Sequence, residues 1–198
     1  MPRHHVSAVL LAAGSSARMG RPKQLLPLND KPVIRHCIDT IIASGVREIV
    51  VVVNPVVQAV AEALSGLPVC IAINDNRDSD MAGSARVGLK SVDQAASAVL
   101  VCLVDHPLAS AETMKLLMRA HAETPGKIIL PAHHNRRGHP GLFPISILNE
   151  LFVVDTLRDI VRRDAGRVRV IDVPDEGVVL DMDTPEDYER VLKRAGAV

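Results

Sequence analysis

Short, almost unbroken apolar runs that alternate with segments of helical periodicity are the feature that most constrains the fold of this chain. Such runs occupy residues 6–12, 48–53 and 98–104, in which Ser7 and Glu48 are the only polar residues, and none of them alternates between apolar and polar positions. Continuous apolar strands are typical of parallel sheets that helices cover on both faces. Residues 33–42 instead place apolar side chains at helical spacing, and Gly45 follows them as a stop signal. The pattern therefore predicts an α/β fold in three layers, with helices on both faces of a mostly parallel sheet.

The rest of the chain continues the same alternation. We expect further helices over residues 57–64, 84–96, 110–123, 145–151 and 156–163, and further strands over residues 69–73, 128–132 and 168–173. Ser84, Ser110 and Thr184 are predicted to cap helices, because a hydroxyl oxygen at that position accepts a free backbone N–H. Since 198 residues suffice for one well-packed core, we expect a single domain over residues 1–198.

Composition excludes several classes of binding partner. Lys and Arg together number 23, as do Asp and Glu, so no net charge attracts the chain to nucleic acid or to an anionic membrane. The chain has two Phe, one Tyr and no Trp, which leaves no aromatic platform for stacked bases. No apolar stretch approaches membrane-spanning length, and no secretory leader is visible at the N-terminus. We therefore expect a cytoplasmic protein with small-molecule substrates and without nucleic acid or membrane partners.

The three cysteines indicate a reducing environment. Cys37, Cys70 and Cys102 are odd in number, far apart in the sequence and placed within apolar segments. Free thiols in such segments behave as small apolar side chains. We expect all three to be buried and unpaired, and the lack of a C-x-x-C pair argues against a zinc or iron–sulfur site.

A glycine-rich basic loop follows the first apolar run. Residues 11–23 read LAAGSSARMGRPK, in which two glycines allow a close approach of the backbone, and Arg18 and Lys23 add positive charge. The loop leaves the carboxyl end of a predicted strand, where ligands bind in open α/β sheets. It is not a Walker loop, because Met19 stands at the position of the second Walker glycine, and it lacks the dinucleotide fingerprint. Two interpretations stay open on these residues alone: a polyphosphate-binding loop, or a turn with solvated cations.

Acidic residues follow the most apolar run and occur again near the end of the chain. Asp105 comes soon after residues 98–104, so it is expected at the same sheet edge as the basic loop, where a hard oxygen ligand suits Mg²⁺ between phosphates. A cap on the following turn is the alternative for this side chain. Asp181 and Asp183 alternate on an extended segment, which directs both carboxylates to one side.

Two further polar loops follow predicted strands. Residues 74–83 precede the helix that Ser84 is expected to cap, which indicates either a ligand near that positive helix end or an ordinary surface loop. Residues 133–139 contain three histidines, but neither their spacing nor a partnering cysteine supports a zinc site. Arg136 and Arg137 in this loop are candidates to bind an acceptor phosphate or to remain solvated.

Five separated motifs resemble those of the molybdenum cofactor (molybdopterin) cytidylyltransferase family, which has a MobA/MocA-like NTP transferase domain. The first is L-A-A-G-x-S-x-R-M-G-x-x-K at residues 11–23. The second is G-M-x-x-S-x-x-x-G, matched by Met81, Ser84 and Gly88, with Asp80 in place of its first glycine. The remaining motifs are D-x-P at residues 105–107, G-H-P-x-x-F at residues 138–143 and D-I-D-T-P-E-D at residues 181–187, where Met182 replaces the Ile.

The resemblance implies a Rossmann-like sheet of the nucleotide-diphospho-sugar transferase type, and it implies roles for the matched residues. Arg18, Lys23 and Asp105 are the implied catalytic residues, and Asp105 with Asp183, or with Asp181, is the implied Mg²⁺ site. The implied nucleotide-binding residues are Leu11, Ala12, Ala13, Gly14, Ser15, Ser16, Arg18, Met19, Gly20, Lys23, Met81, Ser84 and Gly88. The implied acceptor-side residues are His106, Pro107, Gly138, His139 and Pro140.

The implied reaction is the Mg²⁺-dependent transfer of CMP from CTP to molybdopterin with release of pyrophosphate. Ala13 favours CTP over GTP, because the guanylyl branch of the family usually has a glycine at this position. A molybdoenzyme or its maturation factor is the implied protein partner.

Other functions remain compatible with the same residues. They are a GTP-using molybdopterin guanylyltransferase, a sugar-phosphate or alditol-phosphate nucleotidyltransferase, and a nonenzymatic nucleotide- or cofactor-binding chaperone of a molybdoenzyme. An NAD-dependent oxidoreductase is disfavoured, because the chain lacks the dinucleotide fingerprint.

Overall fold

The computed structural model describes residues 5–14, 16–54, 58–76 and 79–196, which form an eight-stranded sheet and a separate two-stranded ribbon. The strands are β1 (His5–Leu11), β2 (Pro27–Leu28), β3 (Lys31–Pro32), β4 (Glu48–Val53), β5 (Cys70–Ile73), β6 (Ala96–Leu103), β7 (Ile128–His133), β8 (Arg136–Arg137), β9 (Gly141–Pro144) and β10 (Val168–Asp172). The helices are α1 (Val33–Ala43), α2 (Gln58–Leu64), α3 (Met81–Lys90), α4 (Ala111–Glu123), α5 (Ile145–Leu148), α6 (Leu157–Arg163) and α7 (Pro185–Ala195). Short 3-10 helices cover Ala17–Met19, Lys23–Leu25, Asn149–Phe152, Ala165–Arg167 and Glu176–Val179.

The main sheet is mostly parallel, as predicted. Its strands follow the order β10-β7-β9-β6-β1-β4-β5, and β8 pairs with β7 outside that order. β1 pairs in parallel with β4 and β6, β4 with β5, and β7 with β10. β9 lies antiparallel between β6 and β7. This strand was not predicted, because four residues bounded by Gly141 and Pro144 carry too weak a strand pattern.

Two layers of helices enclose the sheet, which confirms the three-layer prediction. One face, which includes Leu10 and Leu100, packs against α1, α2, α4 and α7. The other face, which includes Val9 and Val101, packs against α3, α5 and α6. The central strands β1, β4 and β6 are therefore buried on both faces, and this double burial explains their continuous apolar runs.

Helix α3 begins and ends earlier than predicted. Asp80 is its N-cap, because the Asp80 carboxylate accepts a hydrogen bond from the N–H of Gly83 at 2.7 Å. The prediction that Ser84 caps this helix was wrong, because Asp80, an equally good capping residue, stands four positions earlier and Ser84 lies inside the helix. The helix ends at Lys90, since β6 already begins at Ala96.

Two other predicted helix starts are confirmed. Ser110 caps α4 by accepting the N–H of Thr113. Thr184 caps α7 in a reciprocal capping box with Asp187. Capping residues at these positions typically contribute about 1 kcal/mol to helix stability.

The cysteines are unpaired, but their burial differs from the prediction. Cys37 and Cys102 are buried, whereas Cys70 is exposed. Burial was wrongly predicted for Cys70 because β5 stands at the end of the strand order and has a neighbouring strand on one side. Burial raises the pKa of the Cys37 thiol to about 12.

The longest helix in the described part of the chain is α4, with 13 residues. Across these same residues, no helix has both the length and the apolar character that a membrane span requires.

Candidate active site

The carboxyl ends of β1 and β6 meet at one edge of the sheet. Leu11, the last residue of β1, pairs in register with Leu103, the last residue of β6. The basic loop leaves β1 at this edge, and Asp105 lies two residues beyond the end of β6. Parallel pairing therefore brings the loop and the carboxylate together, as the predicted topology requires.

A lysine joins two carboxylates at this edge. The Nζ atom of Lys23 donates to Asp105 Oδ2 at 2.7 Å and to Asp183 Oδ1 at 3.0 Å. The second oxygen of Asp183, Oδ2, accepts from Arg18 Nη2 at 2.6 Å. Lys23 is only 9% exposed. Charged groups from three distant parts of the chain therefore form one network at the sheet edge.

This network fixes the charge of its members. Burial by itself lowers the pKa of Lys23, but the nearby carboxylates of Asp105 and Asp183 outweigh burial and raise that pKa. Burial by itself raises the pKa of Asp183, and the hydrogen bonds and charges of Lys23 and Arg18 outweigh it and lower that pKa. Lys23 is therefore an ammonium ion and Asp183 a carboxylate at neutral pH.

Asp105 keeps one oxygen atom without a partner. Its Oδ1 atom is buried and receives no hydrogen bond, and a buried oxygen of this kind is costly unless another group binds it. Within the described ranges, no three or more His, Cys, Asp or Glu side chains are grouped to bind a metal. Mg²⁺, however, is usually held by one or two carboxylates and completes its shell with phosphates and water. The donors at this edge therefore fit a divalent cation that binds together with a nucleotide.

The segment that carries Asp181 and Asp183 is anchored by the residue between them. Met182 is fully buried, and its N–H donates to the Asp105 carbonyl at 3.0 Å. Asp183 contacts Lys23, whereas Asp181 is exposed. This geometry favours Asp183 over Asp181 as the second carboxylate of the site.

The basic loop is closed by Ser16. The backbone of Ser16 has a left-handed conformation, with a φ of 53°. Its Oγ atom accepts a hydrogen bond from the backbone N–H of Lys23 at 3.0 Å. Its carbonyl accepts the N–H of Met19. Gly20 has the positive φ, 65°, that the sequence suggested, while Ser15 lies outside the described residues. The Ser16 hydroxyl therefore holds Lys23 in position.

A pocket of about 130 Å³ opens beside Lys23 and Asp105. Predicted nucleotide-binding residues line it, namely Leu11, Ala13, Gly14, Met81 and Ser84. The Ser84 hydroxyl accepts a hydrogen bond from Asn74 Nδ2 at 3.0 Å, and both side chains are buried. The N-terminus of α3 thus lies at this pocket, and the Asp80 carboxylate that caps the helix is part of the pocket wall.

Three predicted nucleotide-binding residues belong to the core instead. Ala12 and Met19 are buried among the apolar side chains on one face of the sheet. A Cβ atom at Gly88 would lie 2.5 Å from Val9 Cγ1, so this glycine lets α3 lie close against β1. All three residues are close-packed, and none of them lines the pocket.

The predicted acceptor-side residues lie next to Asp105. The centroids of the His106 and His139 rings are 5.0 Å apart, and burial lowers the pKa of both imidazoles, that of His139 to about 4. The N–H of His139 donates to the Val178 carbonyl at 2.8 Å. A Cβ atom at Gly138 would lie 2.2 Å from the same carbonyl oxygen. Gly138 therefore allows the close approach of two backbone segments that positions His139.

A larger cavity of about 510 Å³ lies on this side of the site. Its lining residues are Met81, Val101, Leu130, Arg137, Gly138, His139, Gly141, Phe143, Leu157, Arg158, Val161 and Arg162. Met81 also lines the smaller pocket, so the two cavities are neighbours. Pro107 and Pro140 are buried and line a separate small cavity with His106 and His139. The larger cavity combines apolar walls with three exposed arginines.

Helix α6 lines this cavity, although alternating charges such as those of its sequence are typical of a solvated helix face. Leu157 and Val161, four positions apart, line the cavity, and so do Arg158 and Arg162 at the same spacing. Residues four apart share one face of a helix. This face of α6 therefore presents two apolar side chains and two arginines to the cavity.

Acid is expected to destabilise the protein partly through His139. Its pKa is about 4 in the folded protein, against an ordinary value of 6.5, because burial disfavours the charged imidazole. The unfolded chain therefore binds this proton more tightly, and stability falls as the pH drops from about 6.5 towards 4. Between pH 7 and pH 4, the free energy of unfolding of the His139→Gln variant is expected to fall by up to about 3 kcal/mol less than that of the parent. Urea unfolding at both pH values measures the difference, and an equal loss in both proteins contradicts the expectation.

Comparisons with known proteins agree with a nucleotide-binding α/β enzyme. Residues 8–171 match the family described as MobA-like NTP transferase domain. The chain therefore belongs to the MobA-like NTP transferase family of nucleotidyltransferase enzymes. The match ends before Asp183, so the second carboxylate stands beyond the matched residues.

Three relatives extend this result over nearly the whole chain. Nicotine blue oxidoreductase of Paenarthrobacter nicotinovorans is 32% identical over 94% of this chain and 96% of that protein. Rv0371c of Mycobacterium tuberculosis H37Rv is 26% identical, with a TM-score of 0.83 over 98% of this chain and 100% of that one. A nucleotidyl transferase from Methanothermobacter thermautotroptrophicus shares the fold, with 24% identity and a TM-score of 0.85 over 98% of each chain.

Divalent metals are typical of this class of enzyme. A second structure of Rv0371c is a complex with manganese, and it resembles this chain with 26% identity and a TM-score of 0.78 over 96% of this chain and 98% of that one. Nucleotidyl transfer commonly uses such ions to neutralise phosphate charge.

Proposed function

We propose that this protein transfers CMP from CTP to molybdopterin with release of pyrophosphate, and that residues 1–198 act as a single nucleotidyltransferase domain. The observation that carries the proposal is the position of Lys23 between Asp105 and Asp183, beside the pocket of the basic loop and α3. Cations and carboxylates at one sheet edge suit a triphosphate together with a metal ion.

Asp105 and Asp183 are the residues that would hold Mg²⁺. A bound Mg²⁺ would neutralise charge on the phosphates of the nucleotide. Lys23 and Arg18 contact the same carboxylates, so they are the cations in position to bind the triphosphate. The Ser16 hydrogen bond to the Lys23 N–H holds the lysine at this place in the loop.

The reaction we propose is an in-line attack of an acceptor phosphate oxygen on the α-phosphorus of the nucleotide. A P–O bond forms to the acceptor, the bond from the α-phosphorus to the bridging oxygen breaks, and pyrophosphate leaves with the electron pair. Lys23 and Arg18 would stabilise the negative charge that develops on the leaving pyrophosphate. Positioning and charge neutralisation drive such reactions, so no covalent enzyme intermediate is required.

The donor base is assigned to the smaller pocket. Ala13 lines this pocket together with Met81 and Ser84. Its alanine side chain, where the guanylyl branch usually has a glycine, supports CTP as the donor.

The acceptor is assigned to the larger cavity. Its apolar walls suit the flat ring system of a pterin, and its arginines suit the phosphate of the same molecule. His139 and Gly138 line this cavity, next to His106 and Asp105. Molybdopterin combines both chemical features, which supports it as the acceptor.

An arginine of the larger cavity is expected to act on the acceptor alone. The Arg158→Gln variant should raise the KM for molybdopterin about fivefold to tenfold, because one charge-assisted hydrogen bond to phosphate is lost. The KM for CTP should change by less than about twofold, since Arg158 does not line the nucleotide pocket. Arg119→Gln, an exposed arginine of α4, is the matched control. Steady-state pyrophosphate release measures both constants, and equal changes in them would contradict the assignment.

The proposed reaction is tested by pyrophosphate release. The purified protein is incubated with Mg²⁺ and CTP, GTP or ATP, with and without molybdopterin. We expect release that depends on molybdopterin and is at least about tenfold faster with CTP, since one specific hydrogen-bonded contact discriminates to that degree. A preference for GTP would correct the donor base. Failure of all three nucleotides with molybdopterin, alongside turnover of a sugar or alditol phosphate, would overturn the acceptor.

One observation favours a second candidate function, the reduction of an organic substrate. The relative with 32% identity over nearly the full length of both chains is named nicotine blue oxidoreductase. The larger cavity, with apolar walls and three arginines, is also compatible with an organic anion. Oxidation of NADH or NADPH in the presence of nicotine blue, without pyrophosphate release from any nucleotide, would establish this alternative.

A further inference from the structure

Arg86 fastens helix α3 to the chain segment that precedes α6. Its Nε atom donates to the Leu151 carbonyl at 2.8 Å, and its Nη2 atom donates to the carbonyls of Val154 and Asp155 at 2.7 and 3.4 Å. A guanidinium group can make several such bonds at once, because its five donors are fixed in one plane. The half-buried Arg86 side chain therefore satisfies three carbonyls of this turn.

The two elements that Arg86 joins belong to different cavities. Helix α3 begins at the smaller pocket, which it lines through Met81 and Ser84. The segment bound by Arg86 leads directly into α6, which lines the larger cavity through Leu157, Arg158, Val161 and Arg162. Arg86 itself lines neither cavity. It is therefore positioned to set the distance between the two sites without contacting either ligand.

The other end of α6 is held by a separate ion cluster. Glu150 accepts hydrogen bonds from Arg163 at 2.8 Å and from Arg167 at 2.5 Å. Arg167 also donates to the Ile160 carbonyl at 3.1 Å. These contacts stay within residues 150–167 and do not reach α3. The Glu150 side chain can therefore be changed without removing a hydrogen-bond partner of Arg86.

Nucleotide binding is expected to act directly on α3. A nucleotide whose base lies in the smaller pocket would contact Met81 and Ser84 in the first turn of α3 and favour one position of the helix. The Arg86 guanidinium is hydrogen-bonded to carbonyls within residues 151–155. A shift of α3 would therefore also move the start of α6. A short helix of seven residues has little stability of its own and depends on such contacts.

We propose that Arg86 is a positioning residue that couples nucleotide binding at α3 to the placement of α6, and so to the binding of the second substrate. This inference rests on the proposed nucleotide site. It implies an order of substrate binding: the nucleotide binds first, and the acceptor cavity then adopts the shape that binds the acceptor.

The test compares hydrogen–deuterium exchange in three proteins: the parent, Arg86→Met and Glu150→Gln. Each protein is measured alone and with CTP and Mg²⁺, and CTP affinity is measured by calorimetry. In the parent, CTP should slow amide exchange in residues 157–163 about tenfold. In Arg86→Met, CTP affinity should stay within about twofold, but the protection of residues 157–163 by CTP should disappear. In Glu150→Gln, residues 157–163 should exchange faster overall, while protection by CTP is retained.

Exchange in β4 serves as the control for global unfolding. If Arg86→Met loses protection there, Arg86→Lys replaces it, because an ammonium ion cannot reproduce the fork of donors and should also abolish the coupling. With the acceptor present, the KM for the acceptor should rise about tenfold in the folded Arg86 variant, and kcat should change less. Retained protection of residues 157–163 by CTP in either Arg86 variant overturns the proposal. If the parent binds neither CTP nor GTP, the proposed nucleotide site fails as well, and calorimetry separates that failure from a loss of coupling alone.

Discussion

Replacing Asp105 with Asn is expected to lower kcat for nucleotidyl transfer by about a thousandfold, because an amide keeps the size of the carboxylate but neither its charge nor its affinity for a divalent cation. The Oδ1 atom of Asp105 is buried without a partner, and its Oδ2 atom binds Lys23. The variant therefore removes the negative charge that holds Lys23 and one of the two carboxylates proposed for Mg²⁺. Pyrophosphate release gives kcat, and titration with Mn²⁺ followed by electron paramagnetic resonance gives metal affinity without turnover.

A second carboxylate–lysine pair provides the matched control. Asp39 accepts a hydrogen bond from Lys31 at 2.6 Å, and neither residue lines the pocket beside Lys23 and Asp105. Asp39→Asn should leave kcat and Mn²⁺ affinity unchanged, since exposed pairs of this kind contribute about 0–1 kcal/mol and serve no ligand. Unchanged Mn²⁺ affinity in Asp105→Asn would contradict the metal assignment even if activity fell. The Asp105 backbone carbonyl, which binds the N–H of Met182, is retained in the variant.

Replacing Gly138 with Ala is expected to cost about 3 kcal/mol of unfolding free energy, because the added methyl group overpacks a backbone contact. The new Cβ atom would lie 2.2 Å from the Val178 carbonyl oxygen, and a backbone atom cannot move aside as the end of a side chain can. The same oxygen accepts the N–H of His139. The substitution therefore also displaces His139 from its place beside His106, and the KM for the acceptor should rise. Urea unfolding measures the stability and steady-state kinetics measures the KM.

Gly126 provides a neutral comparison on the same protein. It is exposed, and a Cβ atom there would have no neighbour within 4 Å. Gly126→Ala should change the unfolding free energy by no more than about 0.5 kcal/mol. An equally small effect of Gly138→Ala would show that the two backbone segments can separate at little cost, and the close approach would lose its role in positioning His139.

The layers of the fold could be predicted because the sequence of a central strand carries two signals. One is a continuous apolar run, which indicates burial, and the other is the polar segment that follows the run. The runs at residues 6–12 and 98–104 carry both signals, so β1, β6 and the position of Asp105 were predictable. Short elements could not be predicted in this way. β9 has only four residues, and the start of α3 depends on whether Asp80 or Ser84 provides the cap. Both are strong capping residues, and tertiary contacts decide between them.

Parts of the candidate site could not be predicted because they depend on distances between elements far apart in the sequence. The bridge from Lys23 to Asp105 and Asp183 joins three such elements. The sequence indicated the charges but gave no reason to expect that the lysine would lie between the carboxylates. Motif positions are similarly ambiguous: Gly88 matches a nucleotide-binding motif, yet it serves the packing of α3 on β1.

The bridge from Lys23 to Asp105 and Asp183 also has a consequence for the chain during its synthesis. Ribosomes synthesise the chain from its N-terminus, so the basic loop and Asp105 emerge well before Asp183, which stands just ahead of α7. A nascent chain that already has β1, β4 and β6 therefore carries Lys23 with one of its two carboxylate partners. The proposed nucleotide site is complete only after Asp183 has also been synthesised.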